Sequence, residues 1–128
     1  MVLTCSLNVE YVKSVAKTIF SQILAGGSFY CVGSWGIEKK CFLEVDHNAA
    51  LLLKVNGFIH TGYVLIVLNS SDLYDIYLSK TMNLDSFKLA IDDVYCDQLT
   101  EIIDSLIEKG NMSDKDYNEK VKIWFKEL

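Results

Sequence analysis

Six consecutive residues, Tyr63-Val64-Leu65-Ile66-Val67-Leu68, are all apolar, and turn-forming residues lie on both sides of them: Asn56-Gly57 upstream and Asn69-Ser70-Ser71-Asp72 downstream. The run is far short of the ~20 residues that a bilayer-spanning helix needs. In a strand, successive side chains point to opposite faces, so a strand of this composition is buried on both. The segment therefore belongs at the centre of a sheet, and both sheet faces must be covered there.

The flanking segments supply the rest of a meander. Cys41 to Asp46 alternates apolar with larger or acidic side chains, Asp46-His47-Asn48 makes a turn, and Ala50 to Val55 reads as the next strand. Leu73 to Lys80, rich in Tyr and Ile, follows the central run. Upstream, Phe29 to Val32 reads as a short strand before a Gly33-Ser34-Trp35-Gly36 turn. Links this short join antiparallel neighbours, since a parallel crossover needs a dozen or more residues.

Helical spacing brackets the strands. Val9, Val12, Ala16, Ile19, Ile23 and Leu24 recur at threes and fours, with Asn8 as N-cap and Gly26-Gly27 as a stop near Ala25. From Asp93 onward Val94, Leu99, Ile102, Ile103, Leu106 and Ile107 repeat the pattern up to Gly110, with Asp92 or Asp93 as cap. Ser113 and Asp116 resemble a capping box and open a third helix, a C-terminal extension over residues 113–128. The reading is a single α+β domain over residues 1–128: an N-terminal helix, an antiparallel meander of about four to five strands, and two C-terminal helices.

A chain of 128 residues, 51% of them apolar, is large enough to bury a core without disulfide or metal staples. Met1 to Glu10 has no lysine and so lacks the basic start of a secretory signal. A cytoplasmic protein follows, with Cys5, Cys31, Cys41 and Cys96 expected as thiols. The net charge is −5 and every basic residue is lysine. Without the bidentate guanidinium fork, direct nucleic-acid binding is disfavoured.

The stretch from Tyr63 to Ile76 (YVLIVLNSSDLYDI), with Val94-Tyr95-Cys96-Asp97-Gln98-Leu99 downstream, resembles a family of small uncharacterised proteins from phages and mobile elements. Its relatives share a YVxIxLNxxDLYD run and a VYxDQL helix start, and the likeness covers roughly residues 18 to 107. It implies a protein acting inside a bacterial host cell, and it carries no known chemistry.

No catalytic constellation stands out. Asp72 and Asp75, with Tyr74 between them, form the one candidate ligand site, for a small enzyme or a nucleotide-binding accessory protein. Asp72 reads better as a turn residue bonded to local backbone. Glu44, Asp46 and His47 have a metal-like flavour, yet zinc needs three or four converging ligands. His47 therefore reads as a turn residue, and neither a metal nor a cofactor is expected. Along the second helix Glu101, Asp104 and Glu108 share a stripe that capping does not explain, so they are the candidate contacts for a protein partner with a basic surface. The function that follows is a small non-enzymatic binding protein that contacts a host or element-encoded protein, a defence component being one such partner.

Overall fold

The computed structural model describes residues 1–26 and 33–109. Its sheet has five antiparallel strands in sequence order: β1 (Lys39–Val45), β2 (Asn48–Asn56), β3 (Thr61–Leu68), β4 (Tyr74–Ser79) and β5 (Lys88–Val94). The doubly apolar run is β3, the middle strand. Its register sets Ile66 opposite Leu51 on one side and Ile76 on the other, and Leu65 opposite Leu52 and Tyr77.

Both faces are covered, by different means. On one face Leu51, Leu53, Val55, Val64, Ile66 and Ile76 pack beneath the helices α1 (Val9–Gly26) and α2 (Leu99–Asp104). The helices contribute Ala16, Ile19, Ile23, Leu99 and Ile103 to that core. On the other face Ala50, Leu52, Leu65 and Val67 meet Phe87, with Met1 and Leu84 at the margin. The second cover is thus the short Leu84–Ser86 helical turn and the chain start, not a layer of regular structure.

Local chemistry explains the element ends. Asn8 caps α1, its side-chain oxygen accepting the amides of Glu10 (2.9 Å) and Tyr11 (3.3 Å). Asp46 and His47 both have positive φ (48° and 65°), as a two-residue type I′ hairpin requires between β1 and β2. Glycine is needed at position 57 because a Cβ there would lie 2.3 Å from the Ile107 carbonyl oxygen. That close approach lets the β2–β3 turn dock on the end of α2, where Ile59 donates its amide to Ile107 at 2.9 Å.

Two expectations are corrected. Residues from Lys88 to Val94, partly assigned to the second helix, form the edge strand β5, and α2 begins only at Leu99. Asp92 and Asp93 are not caps. Val94 pairs with Tyr74 and is buried, whereas Asp93 takes a left-handed φ of 54° where the β4–β5 register shifts. The helix itself is short, and a π-type turn over Ser105–Lys109 follows it. The strand expected over Phe29 to Val32 and the helix expected from Ser113 lie outside the described residues.

Among the described residues no helix is long and apolar enough to cross a membrane. Ile66 is fully buried between two strands and beneath both helices. Ile66→Ala should lower stability by about 2–5 kcal/mol in denaturant titration, the range for a large-to-small change in a packed core. The amides of Val64 to Val67 should be among the slowest to exchange with solvent.

Candidate functional site

The acidic stripe on α2 does not form an exposed face. Glu101 is exposed, but Asp104 and Glu108 are buried. Asp104 accepts a 2.9 Å hydrogen bond from the indole Nε1 of Trp35, which is itself fully buried. Thr100, Asp104 and Glu108 are spaced by four and all buried, as are Leu99, Ile103 and Ile107 beside them, so this side of the helix and of the π-type turn that follows it points inward. Among the described residues neither Glu108 oxygen has a hydrogen-bond partner of ordinary geometry. Burial pushes its carboxyl up to about 8; the Asp104 charge acts in the same direction and the Phe58 backbone amide partly offsets it.

Asp72, Tyr74 and Asp75 are each engaged locally. Asp72 sits in the β3–β4 turn with φ of 61° and is exposed. Tyr74 is buried and its hydroxyl donates to Gln22 Oε1 on α1 at 2.7 Å. Burial raises the Tyr74 hydroxyl, the nearby Cys96 and Asp72 raise it further, and the Gln22 contact opposes them. Asp75 accepts from Asn69 Nδ2 (2.9 Å) and from the Asp93 backbone amide (3.1 Å), which stitches the β3–β4 turn to the irregular part of β5.

Glu44 serves as an anchor. Its carboxylate accepts hydrogen bonds from the Thr4 hydroxyl, the Ser6 amide (2.9 Å) and hydroxyl (2.8 Å), and the Leu7 amide (2.6 Å). Burial would raise this carboxyl, but the four donors outweigh it and hold the group at about 2. His47 is exposed and shares the Ser6 hydroxyl at 2.8 Å, while Asp46 accepts the Val2 amide at 2.9 Å. His60 contacts the Tyr63 carbonyl at 3.2 Å. Among the described residues no three His, Cys, Asp or Glu side chains converge as metal ligands.

The recess best shaped for a ligand lies elsewhere, between α1 and β1. Because α1 runs over β2, the outer part of β1 is left uncovered, and Lys39 to Phe42 are all exposed. Phe42 and Lys40 lie opposite Leu51 and Leu53, so both project on the helix-covered face of the sheet. There Lys13, Ala16, Lys17, Phe20 and Ser21 from α1 complete a groove of about 350 Å³ with an apolar floor. Lys40 Nζ stands 4.4 Å from the centre of the Phe20 ring. Lys13 and Lys17 form no ion pair among the described residues. On the far side of Phe42 a second recess of about 290 Å³ is bounded by Leu3, Leu7, Val9 and Leu43.

The edge of β1 is closed over only part of its length. The N-terminal segment bridges Leu3 to Val45, with Thr4 donating to the Glu44 carbonyl (3.0 Å) and Asp46 donating to that of Val2 (2.8 Å). Alternation along the strand carries the same outward orientation to the backbone of Phe42 and Lys40. Sequence reasoning missed this groove. Its one legible signal is that Lys13, Lys17 and Phe20, spaced four and three, share a helix face. Compared with protein-family models, curated proteins and solved structures, the chain finds no match.

Glu108 keeps its proton to a higher pH in the folded than in the unfolded chain. Its contribution to stability is therefore complete below about pH 4.5 and lost as pH rises toward 8, by at most about 1.4 kcal/mol per unit. Glu108→Gln should flatten that slope, and urea midpoints measured across pH 5 to 8 would show it.

Glu44 has the opposite sign. Its contribution holds above about pH 4.5 and is lost as pH falls toward 2, when the unfolded chain takes up the proton first. Glu44→Gln should remove this part of the acid loss, which thermal midpoints recorded between pH 2 and 5 would reveal.

Proposed function

We propose that this chain is a small non-enzymatic binding protein of phage or mobile-element origin, which works in the cytoplasm of a bacterial host and contacts a host or element-encoded protein. The observation that carries the binding reading is Phe42, 42% exposed on the open edge of β1 with an apolar recess on either side. A large aromatic residue between two hollows has the form of an interface anchor, since such residues contribute most of the binding energy when a partner desolvates them. The likeness of the Tyr63 to Ile76 run to proteins of mobile elements supports the setting.

The inward turn of Asp104 and Glu108 moves the contact away from α2 and changes its polarity. Lys13, Lys17 and Lys40 line the groove, so the partner presents acidic groups there in place of the basic surface that the acidic stripe implied.

The test uses the protein and its Phe42→Asp variant as paired baits in host extract, with any retained protein identified, purified and titrated against both. A purified host or element-encoded protein that binds the wild type at least tenfold more tightly than the variant is the expected result. Equal affinity for the two baits, or retention of nothing by either, would overturn the reading.

A further inference from the structure

The groove beside β1 joins two features. One is a strand edge with unpaired outward backbone at Lys40 and Phe42, and the other is a lysine-lined apolar trough directly next to it. We propose that the β1 edge receives an extended acidic segment of the partner protein, which adds as a sixth strand beyond β1 and sets its apolar side chains in the α1–β1 groove. This rests on the binding reading above and names the chemistry of what binds.

The edge is already used in this way once, within the chain. The Leu3–Val45 bridge places a short extended segment on the outer side of β1, and the Glu44 carboxylate fixes its path by holding Thr4, Ser6 and Leu7. Beyond Leu7 the chain turns into α1 at Asn8 and leaves the line of the edge. An incoming strand would take up that line at Phe42 and run toward Lys39. Main-chain hydrogen bonds would supply affinity, and pockets for alternate side chains would supply selectivity.

The charge pattern selects the occupant. The chain carries a net −5, yet the groove gathers Lys13, Lys17 and Lys40, and the adjoining strand residue is Lys39. Nearby acids offset little of this: Glu38 is engaged with Lys54 at 3.4 Å, and Glu10 lies with Lys13 in the neighbouring hollow on α1. A segment that carries both an aliphatic or aromatic residue and an Asp or Glu at its groove-facing positions, two residues apart, matches this trough, the apolar one facing Ala16, Phe20 and Leu51 and the acid reaching the lysines. A second copy of this chain offering its own β1 would instead bring Lys39 and Lys40 against the same lysines, an arrangement that like-charge repulsion disfavours.

The experiment selects displayed random 12-residue peptides on the immobilised full chain, then measures the best synthetic peptide by titration and by amide hydrogen exchange. Expected are peptides in which Asp or Glu and Val, Ile, Leu or Phe recur two residues apart, on one face of the added strand, and affinity at least tenfold weaker for the Lys13→Glu/Lys40→Glu double variant. A partial loss is expected for Lys40→Gln, with peptide-dependent protection of the Lys40 and Phe42 amides. All the substituted side chains are at least partly exposed, and circular dichroism of each variant confirms the fold before titration. Acidic peptides that depend on Lys13 and Lys40 but leave the Lys40 and Phe42 amides unprotected would overturn strand addition while the binding reading stands. Enrichment of basic peptides, or binding unchanged by the double reversal, would overturn the acidic occupant. So would concentration-dependent self-association abolished by the same variant, or binding to anionic vesicles in place of peptide. No enrichment, together with equal affinity of the partner for wild type and Phe42→Asp, would fail both readings.

Discussion

The architecture depends on one constraint: β2 and β3 are apolar on both faces and must be covered on both. Strands lie about 4.8 Å apart, so five of them span ~19 Å between outer axes, while packed helices sit ~8–10 Å apart. The α2 helix has six residues, or ~9 Å of length, and cannot cover a full strand. Helical cover is therefore spent over the sheet centre, and the opposite face relies on Phe87, Leu84 and the first residue. What remains exposed is decided by that shortage, and it falls on the outer strands, including the part of β1 that carries Phe42.

Where polar groups enter this interior they act as fasteners. Trp35 to Asp104, Thr100 to the Ile23 carbonyl (2.7 Å) and Tyr74 to Gln22 each tie together segments far apart in sequence, and each satisfies a donor that burial would otherwise leave unmet. Glu108 is the exception, a buried carboxyl that lacks a hydrogen-bond partner of ordinary geometry among the described residues. A neutral acid in that position is tolerable near neutral pH, and an ionised one would face both desolvation and the Asp104 charge.

The extent to which the fold was legible in the sequence differs by element. The central strand, its neighbours, the first helix and its Asn8 cap follow from local pattern, because period and turn chemistry act over a few residues. The fifth strand was misread. Asp92-Asp93 resembles a helix cap, and only pairing with β4, which carries Val94 to Tyr74, shows the segment to be extended. The acidic stripe failed for a related reason. Spacing shows that Asp104 and Glu108 share a side of the helix, but only the long-range contacts of that side, Thr100 with the Ile23 carbonyl and Asp104 with Trp35, show that it faces inward. Trp35 read as a turn residue, and it is one, but its indole reaches a partner 69 positions away that no window could contain. The groove was illegible for the same cause, since Phe20 and Phe42 meet only once β1 is paired and α1 has settled across β2.

The bond from Thr100 to the carbonyl of Ile23 spans 77 positions, and it caps the end of a helix that is synthesised before its partner. At ~5–20 residues per second, synthesis takes roughly 4–15 s to cover that distance. Through that interval α1 exists without the partner that completes its last turn, and its apolar side has only itself or a chaperone to lean on. An isolated helix of 18 residues is marginal in water. The nascent chain therefore gains lasting helical structure late, after the sheet has emerged, and translation speed over the strands sets how long that apolar face stays open to other contacts.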